Sequence, residues 1–335
     1  MSRYPSRRYY ERIAVASGYP AGPLETVYRL AELLDRIEAA LPGELLLRGG
    51  TALNLLHLDA PRLSVDLDLD YVGSPDAEGA QTRRPELLSE IDRVAARAGY
   101  AVEHLRPSYA MAHFVLRYDD AAGRHAGLKL DLNFLDRLPV LVPVRLPLRH
   151  PFGSDLETRE ILAFALEELA ASKVIALARR GLARDLFDVA ELAGLTELDD
   201  DLVRTVLTVR GAAYPPPSPS EYALDSGTRV RLVDWRSQVV ALALRDRDID
   251  LGSAQSRAEG LLAGLLALTD GQLEFPASAG GRRSRGWASR RARPRDPRCR
   301  QSGAALACAT RLRGAGRTLV STSRAVCTGV SPLLG

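Results

Sequence analysis

Lysine is almost missing from this chain: Lys129 and Lys173 are the only two among 45 Lys and Arg residues. An arginine bias of that size fits a GC-rich genome. Lysine then persists where a planar guanidinium cannot replace a compact ammonium, and a phosphate-facing position is a natural case. Cysteine is nearly as scarce. Cys299, Cys308 and Cys327 all fall near the C-terminal end, which excludes a disulfide framework or a zinc motif from the rest of the chain and points to a reducing cytoplasm. No run of about 20 apolar residues is long enough to span a membrane. The opening MSRYPSRRYYER also lacks the apolar segment of a secretion signal. The expectation is a cytoplasmic protein with no membrane partner. At 335 residues and 46% hydrophobic, the chain has room for two domains and a substantial core.

The richest stretch runs from Leu45 to Tyr71, LLLRGGTALNLLHLDAPRLSVDLDLDY. It reads as a buried strand, a Gly-Gly-Thr turn, a short helix through Leu58 and a second strand with alternating aspartates. Side chains alternate along a strand, so Ser64, Asp66 and Asp68 project from one side and Asp70 can continue the row. Such carboxylates repel one another unless a divalent cation or protons neutralise them. Oxygen-only ligands suit Mg²⁺, with Mn²⁺ an alternative, and Mg²⁺ commonly completes its shell with substrate phosphates. Gly49 and Gly50 let the backbone approach a ligand, and Thr51 can cap the following helix, whose N-terminus favours an anion. A tight turn and a solvated edge strand would explain either half alone. Together they describe a metal–phosphate site of the kind used for displacement at phosphorus.

Gly49-Gly50-Thr51-Ala52-Leu53 followed by Ser64-Val65-Asp66-Leu67-Asp68 resembles the AbiEii/AbiGii toxin family, nucleotidyltransferases of the DNA polymerase β superfamily. The resemblance runs from about residue 20 to about 270 and rests on a few short motifs. It implies an α+β fold: a polymerase β-like nucleotidyltransferase sheet domain, then a mostly helical domain. It also implies Mg²⁺ and a nucleoside triphosphate (NTP) at the DxD strand.

The expected organisation is a basic arm or short helix over residues 1–20, a nucleotidyltransferase domain over 21–155, a helical domain over 156–275 and an Arg-rich tail over 276–335. Within the second segment, helices are expected over 23–41 and 87–98, and 73–84 reads as a surface loop. Strands are expected at 101–105, 112–118 and 128–134, with a hairpin turn over 119–123. The last of these places Lys129, Asp131 and Asn133 on one face. By the resemblance, a third carboxylate beside the DxD strand serves as metal ligand and candidate base, and Asp131 takes that role.

Further on, 161–166 is a short apolar run suited to an edge strand. Helices follow over 167–177 and 184–192. Lys173 borders the apolar face of the first; Asp185 and Asp188 share a face of the second, beside Arg184. An interhelical salt bridge accounts for this pattern as well as a phosphate site does. The resemblance implies that Lys173 contacts the triphosphate and that Asp185 or Asp188 completes the cluster, Asp185 being preferred. The expected site is thus Asp66, Asp68, Asp131, Lys173 and Asp185 as catalytic groups, with Gly49, Gly50, Thr51, Ser64, Lys129, Arg184 and Asp188 around the substrate. More helices are expected over 202–209, from 226 or 229 to 245, and over 254–268, with a stiff loop at 214–219. Arg179, Arg180, Arg184, Arg204, Arg210, Arg229 and Arg231 could line a nucleic-acid surface, although such runs are usually solvated. From 277 the composition suits either a disordered basic tail or a GC-rich reading frame out of phase.

The resemblance further implies the toxin of a type IV toxin–antitoxin system, with the 3′ end of tRNA as acceptor and a separate antitoxin encoded nearby. A small-molecule nucleotidyltransferase, a protein-modifying one and a non-catalytic nucleotide-binding module are the alternatives.

Overall fold

A computed structural model describes residues 4–105, 108–213, 219–245, 247 and 249–268. The expected tail over 276–335 and most of the loop at 214–219 lie outside the described residues. In chain order the elements are α1 (Arg7–Ser17), α2 (Ala21–Ala40), β1 (Leu45–Leu47), α3 (Gly49–Ala52) continued by a π-helical turn (Leu53–His57), β2 (Asp66–Tyr71), α4 (Ala77–Arg97), β3 (Ala101–His104), β4 (Met111–Asp119), β5 (His125–Asn133), β6 (Val144–Leu146), β7 (Ile161–Ala163), α5 (Leu166–Arg180), α6 (Ala183–Leu192), α7 (Asp200–Gly211), α8 (Leu232–Gln238) and α9 (Leu251–Leu265). No described helix is long and apolar enough to cross a membrane.

The strands form one seven-stranded mixed sheet in the order β3-β4-β5-β2-β1-β7-β6. β2 pairs antiparallel with β1 but parallel with β5, the pairing that matters most for the site. Its register sets Asp66 against Lys129, Asp68 against Asp131 and Asp70 against Asn133. Leu67, Leu69 and Tyr71 of β2 and Leu128, Leu130 and Leu132 of β5 are buried on the opposite face. This strict alternation keeps the acidic row out of the core. α2 covers the apolar side with Leu24, Val27, Leu30, Leu34 and Ile37, all essentially inaccessible.

Several elements differ from the sequence reading. Residues 7–17 take the helical one of the two expected forms, but packed rather than free: Tyr10 and Ala14 are buried, and Tyr9, Tyr10 and Tyr28 meet edge to face. The surface loop expected over 73–84 is helical from Ala77. Asp76 caps it by accepting the Gly79 N–H at 2.7 Å, and Arg83 ties it to Glu44. β7 sits inside the sheet rather than at its edge, parallel to β1, and lies beyond the expected boundary at 155. The single helix expected up to residue 245 is interrupted: short 3-10 turns at Leu224–Arg229 and Val240–Leu242 flank α8. An isolated antiparallel bridge, Arg62 to Ala243, draws this segment to the sheet. α5 packs on α6 and α7, and α9 closes against α6 and α7.

Candidate active site

β1 ends at the turn Arg48-Gly49-Gly50, which faces the acidic row. Gly49 has φ +72°, and a Cβ there would stand 2.3 Å from Asp68 Oδ2, so only glycine lets the turn lie against that carboxylate. A Cβ on Gly50 would meet Arg62 Nη2 at 3.0 Å and Ser64 Oγ at 3.1 Å. Thr51 does not cap the helix as expected. Its buried hydroxyl lies 2.9 Å from Ser64 Oγ and 2.5 Å from the Asp66 carbonyl, so it staples the turn to the start of β2.

The turn and the acidic row open on a cleft of about 790 Å³. Gly49, Gly50, Ser64, Asp66, Asp68, Lys129, Asp131, Lys173 and Arg184 all line it. Nine of the twelve expected site residues therefore share one hollow. Thr51, Asp185 and Asp188 stand behind its wall, each essentially without solvent exposure.

Each carboxylate of the row has its own surroundings. Asp66 Oδ2 accepts from Arg184 Nη1 at 3.1 Å, and Asp131 Oδ1 lies 2.7 Å from His113 Nδ1. Asp68, between them, is held above the ordinary carboxylate range. Burial is the main cause; Arg48 counteracts it, and Asp131 and Asp66 push the same way as burial. Among the described residues no three His, Cys, Asp or Glu side chains close into a metal cage by themselves. The donor set nevertheless fits an open divalent site. All donors are hard oxygens, a guanidinium already sits on Asp66 as a cation would, and Mg²⁺ is commonly held by one or two carboxylates with phosphates completing the shell.

Asp70 continues the row but is committed elsewhere. It accepts from Arg48 Nη1 at 2.9 Å and Asn133 Nδ2 at 3.1 Å, and Asn133 also donates to Asp136. Its pKa is raised to about 6, chiefly by burial, with Arg48 pulling down and Asp136 pushing up. The pair is lopsided: Asp70 is 1% exposed and Arg48 39%, so desolvation falls on the carboxylate. An acid whose folded pKa is raised favours folding when protonated. That contribution is complete below the unfolded value of 3.8 and is lost as pH rises through about 6. Over that window it amounts to on the order of 3 kcal/mol. Thermal melts in EDTA across about pH 4.5 to 7.5 should therefore show stability falling, with a shallower slope in Asp70→Asn. Asp68 acts with the same sign, so some slope remains; equal slopes in the two proteins would contradict the assignment.

On the opposite wall, Lys173 of α5 is 7% exposed, with Nζ 2.6 Å from Asp188 Oδ2 and 3.6 Å from Asp185 Oδ1. Both carboxylates are fully buried on α6. Arg180 holds Asp185 through two bonds of 2.6 and 2.8 Å. Arg62 forks onto Asp188, and Asn54 donates to it at 3.0 Å. Burial opposes the charge of Asp188, but Arg62 and then Lys173 outweigh it and keep its pKa below the usual range. The interhelical salt bridge and the proximity of Lys173 to the cleft thus hold together.

Sequence reasoning missed Arg62, Asn54, Arg48 and His113. Of the arginines weighed as a nucleic-acid surface against a solvated one, Arg179, Arg180, Arg184 and Arg210 line the cleft, Arg184 as also expected of a substrate contact, whereas Arg204 pairs with Asp201 and Arg231 with Asp234. His113 follows from the hairpin register, which sets it directly across from Asp131.

A family model described as "Nucleotidyl transferase AbiEii toxin, Type IV TA system" matches residues 32–257. Among solved structures, the chain is similar to MenT4, a nucleotidyltransferase toxin from Mycobacterium tuberculosis. Identity is 20% and the TM-score 0.62, and the match covers 84% of this chain and 97% of that one. At that identity the likeness speaks to the fold. A structure from H. pylori described as a nucleotidyltransferase matches at 18% identity and a TM-score of 0.45, over 72% of this chain and 94% of that one. None of the curated proteins matches the chain.

Proposed function

Because the chain belongs to the AbiEii family, the nucleotidyltransferase toxins of type IV toxin–antitoxin systems, we propose that this cleft moves a nucleoside monophosphate from an NTP to a hydroxyl at the 3′ end of tRNA. The observation that carries the reading is the parallel β2–β5 pairing. It sets Asp131 beside Asp68 on the face that the Gly49-Gly50 turn lies against, with the Lys173 ammonium on the facing helical wall.

In this reading the phosphates lie against Gly49, Gly50 and Ser64, where the N-terminus of α3 presents backbone N–H groups. Lys173 and Arg184 meet phosphate oxygens from the helical side. Lys129, exposed beside Asp66 at the cleft edge, adds a third cation. Asp66, Asp68 and the free oxygen of Asp131 would hold a divalent ion, Mg²⁺ or Mn²⁺. When bound, such an ion offsets the charge of the row and polarises the phosphoryl oxygens. Asp131, steadied by His113, orients the acceptor hydroxyl and takes its proton. The hydroxyl oxygen then bonds to the α-phosphorus as the bond to pyrophosphate breaks. Arg184 must leave Asp66 for an ion to enter, which frees its guanidinium for phosphate.

The test is incubation with total RNA, Mg²⁺ and each α-labelled NTP in turn. Label is expected on tRNA 3′ ends, and EDTA should prevent it. Label confined to a small molecule or a protein would move the acceptor to another class. Growth inhibition that survives removal of both Asp66 and Asp68 would leave a non-catalytic module instead.

A further inference from the structure

Arg62 lines the cleft yet is only 3% exposed, and each of its three side-chain nitrogens already donates to a protein acceptor. Nε reaches Asp188 Oδ1 at 3.1 Å. Nη2 reaches Oδ1 at 2.9 Å and Oδ2 at 3.0 Å, and Nη1 reaches the Leu63 carbonyl at 3.2 Å. With Asn54 Nδ2 on Oδ1 and Lys173 Nζ on Oδ2, the acceptor positions of Asp188 are filled. Asp188 has no capacity left for an ion, and four of the five Arg62 N–H donors are committed to protein acceptors, leaving one on Nη1 outside these bonds.

What the pair does have is connections. The second Asn54 N–H bond goes to the Gly50 carbonyl at 2.9 Å, and Arg62 Nη2 sits against the α face of Gly50. The Arg62 backbone is bridged to Ala243, and the Leu63 N–H donates to the Leu242 carbonyl at 2.8 Å. A single buried unit thus joins the glycine turn on the sheet side to the Lys173 ammonium on the helical side.

We propose that Arg62, with Asn54, is a positioning residue that acts through Asp188 to hold the Lys173 ammonium at a set distance from the Gly49-Gly50 turn. The inference rests on the reading of Lys173 as a phosphate contact. A charged pair that only stabilised the fold would have no reason to converge on both phosphate-facing elements. A bidentate fork fixes direction as well as distance, which a lysine at position 62 could not reproduce.

A double-mutant cycle on the full chain tests this, read by equilibrium titration with a non-hydrolysable NTP, which needs no acceptor. In the otherwise unchanged protein, Arg62→Met should weaken NTP binding by roughly 10- to 100-fold. In a Lys173→Met background it should add less than about twofold, since the group it positions has gone. Arg62→Lys, a gentler change, is read in the same way should Arg62→Met fail to fold, and should recover only part of the affinity. Equal losses in both backgrounds, or no loss in the first, would overturn the proposal while leaving the nucleotidyltransferase reading intact. Unchanged protein that binds no NTP would instead remove the reading beneath it.

Discussion

Asp68→Asn is expected to abolish nucleotidyl transfer while raising the melting temperature. Asp68 sits between Asp66 and Asp131 in a half-buried position that holds its pKa up, so its charge costs the fold energy. Asparagine keeps the shape against the glycine turn and removes the repulsion. Relief of that repulsion should appear as a rise in melting temperature, each 1 kcal/mol being worth roughly 1–2 °C in a protein of this length. In the proposed reading Asp68 helps to hold the ion, so its loss should remove several kcal/mol of transition-state stabilisation, or roughly 10³-fold in rate. Calorimetry in EDTA and the labelled-NTP assay read the two effects separately. Retained transfer would take the ion away from this strand. A lower melting temperature would make Asp68 structural, the reverse of a residue kept for function at the expense of stability.

Lys173→Met should fail on both counts. Methionine fills the volume of the lysine stem but leaves Asp188 and Asp185 short of a cation inside a sealed wall. Breaking a buried pair by removing one partner commonly costs about 3–5 kcal/mol. Here the lower end, about 3 kcal/mol, is expected because Arg62 and Arg180 still answer the two carboxylates. Urea unfolding measures that loss, and titration with an NTP should show weakened binding in the fraction that stays folded. Lys173→Arg should not rescue, since Arg62 already forks onto Asp188 and a planar guanidinium does not reproduce the compact point contact of the ammonium there. Unchanged NTP affinity in Lys173→Met would make the ammonium a structural counter-ion alone.

Much of this site was legible in the chain. The Asp66-Leu67-Asp68-Leu69-Asp70 alternation can pack only its leucines into the apolar core, so the acidic row had to take the other face, where Asp70 is buried against Arg48 and Asn133. The Lys173 helix and the Arg-Asp-x-x-Asp helix declared themselves by spacing. What pattern could not supply was which strands are neighbours: nothing in β5 announces that it runs parallel to β2. The hairpin shows how small the margin is. A turn expected over 119–123 would set Met111 across from Asp131. The turn lies one residue later, with Asp119 opposite His125, and moves His113 into that place instead. Arg62 was illegible for another reason. In a chain where nearly every basic residue is arginine, its identity carries no signal, and only burial against Asp188 sets it apart. The helix expected up to residue 245 failed because tertiary bonds from Arg62 and Leu63 capture the 242–243 backbone and override its local preference.

β7 carries a consequence for how the molecule can move. This strand follows β6 in the chain, lies between β1 and β6 in the sheet, and leads within three residues into the helix that bears Lys173. The Phe164 N–H is bonded to the Leu47 carbonyl, one residue before Arg48. The two walls of the cleft therefore spring from adjacent rungs of one ladder, and they cannot part like jaws on a hinge without tearing it. For the proposed nucleotide, that leaves the side chains at the mouth, Arg184 on Asp66 among them, as the groups whose movement would open the way.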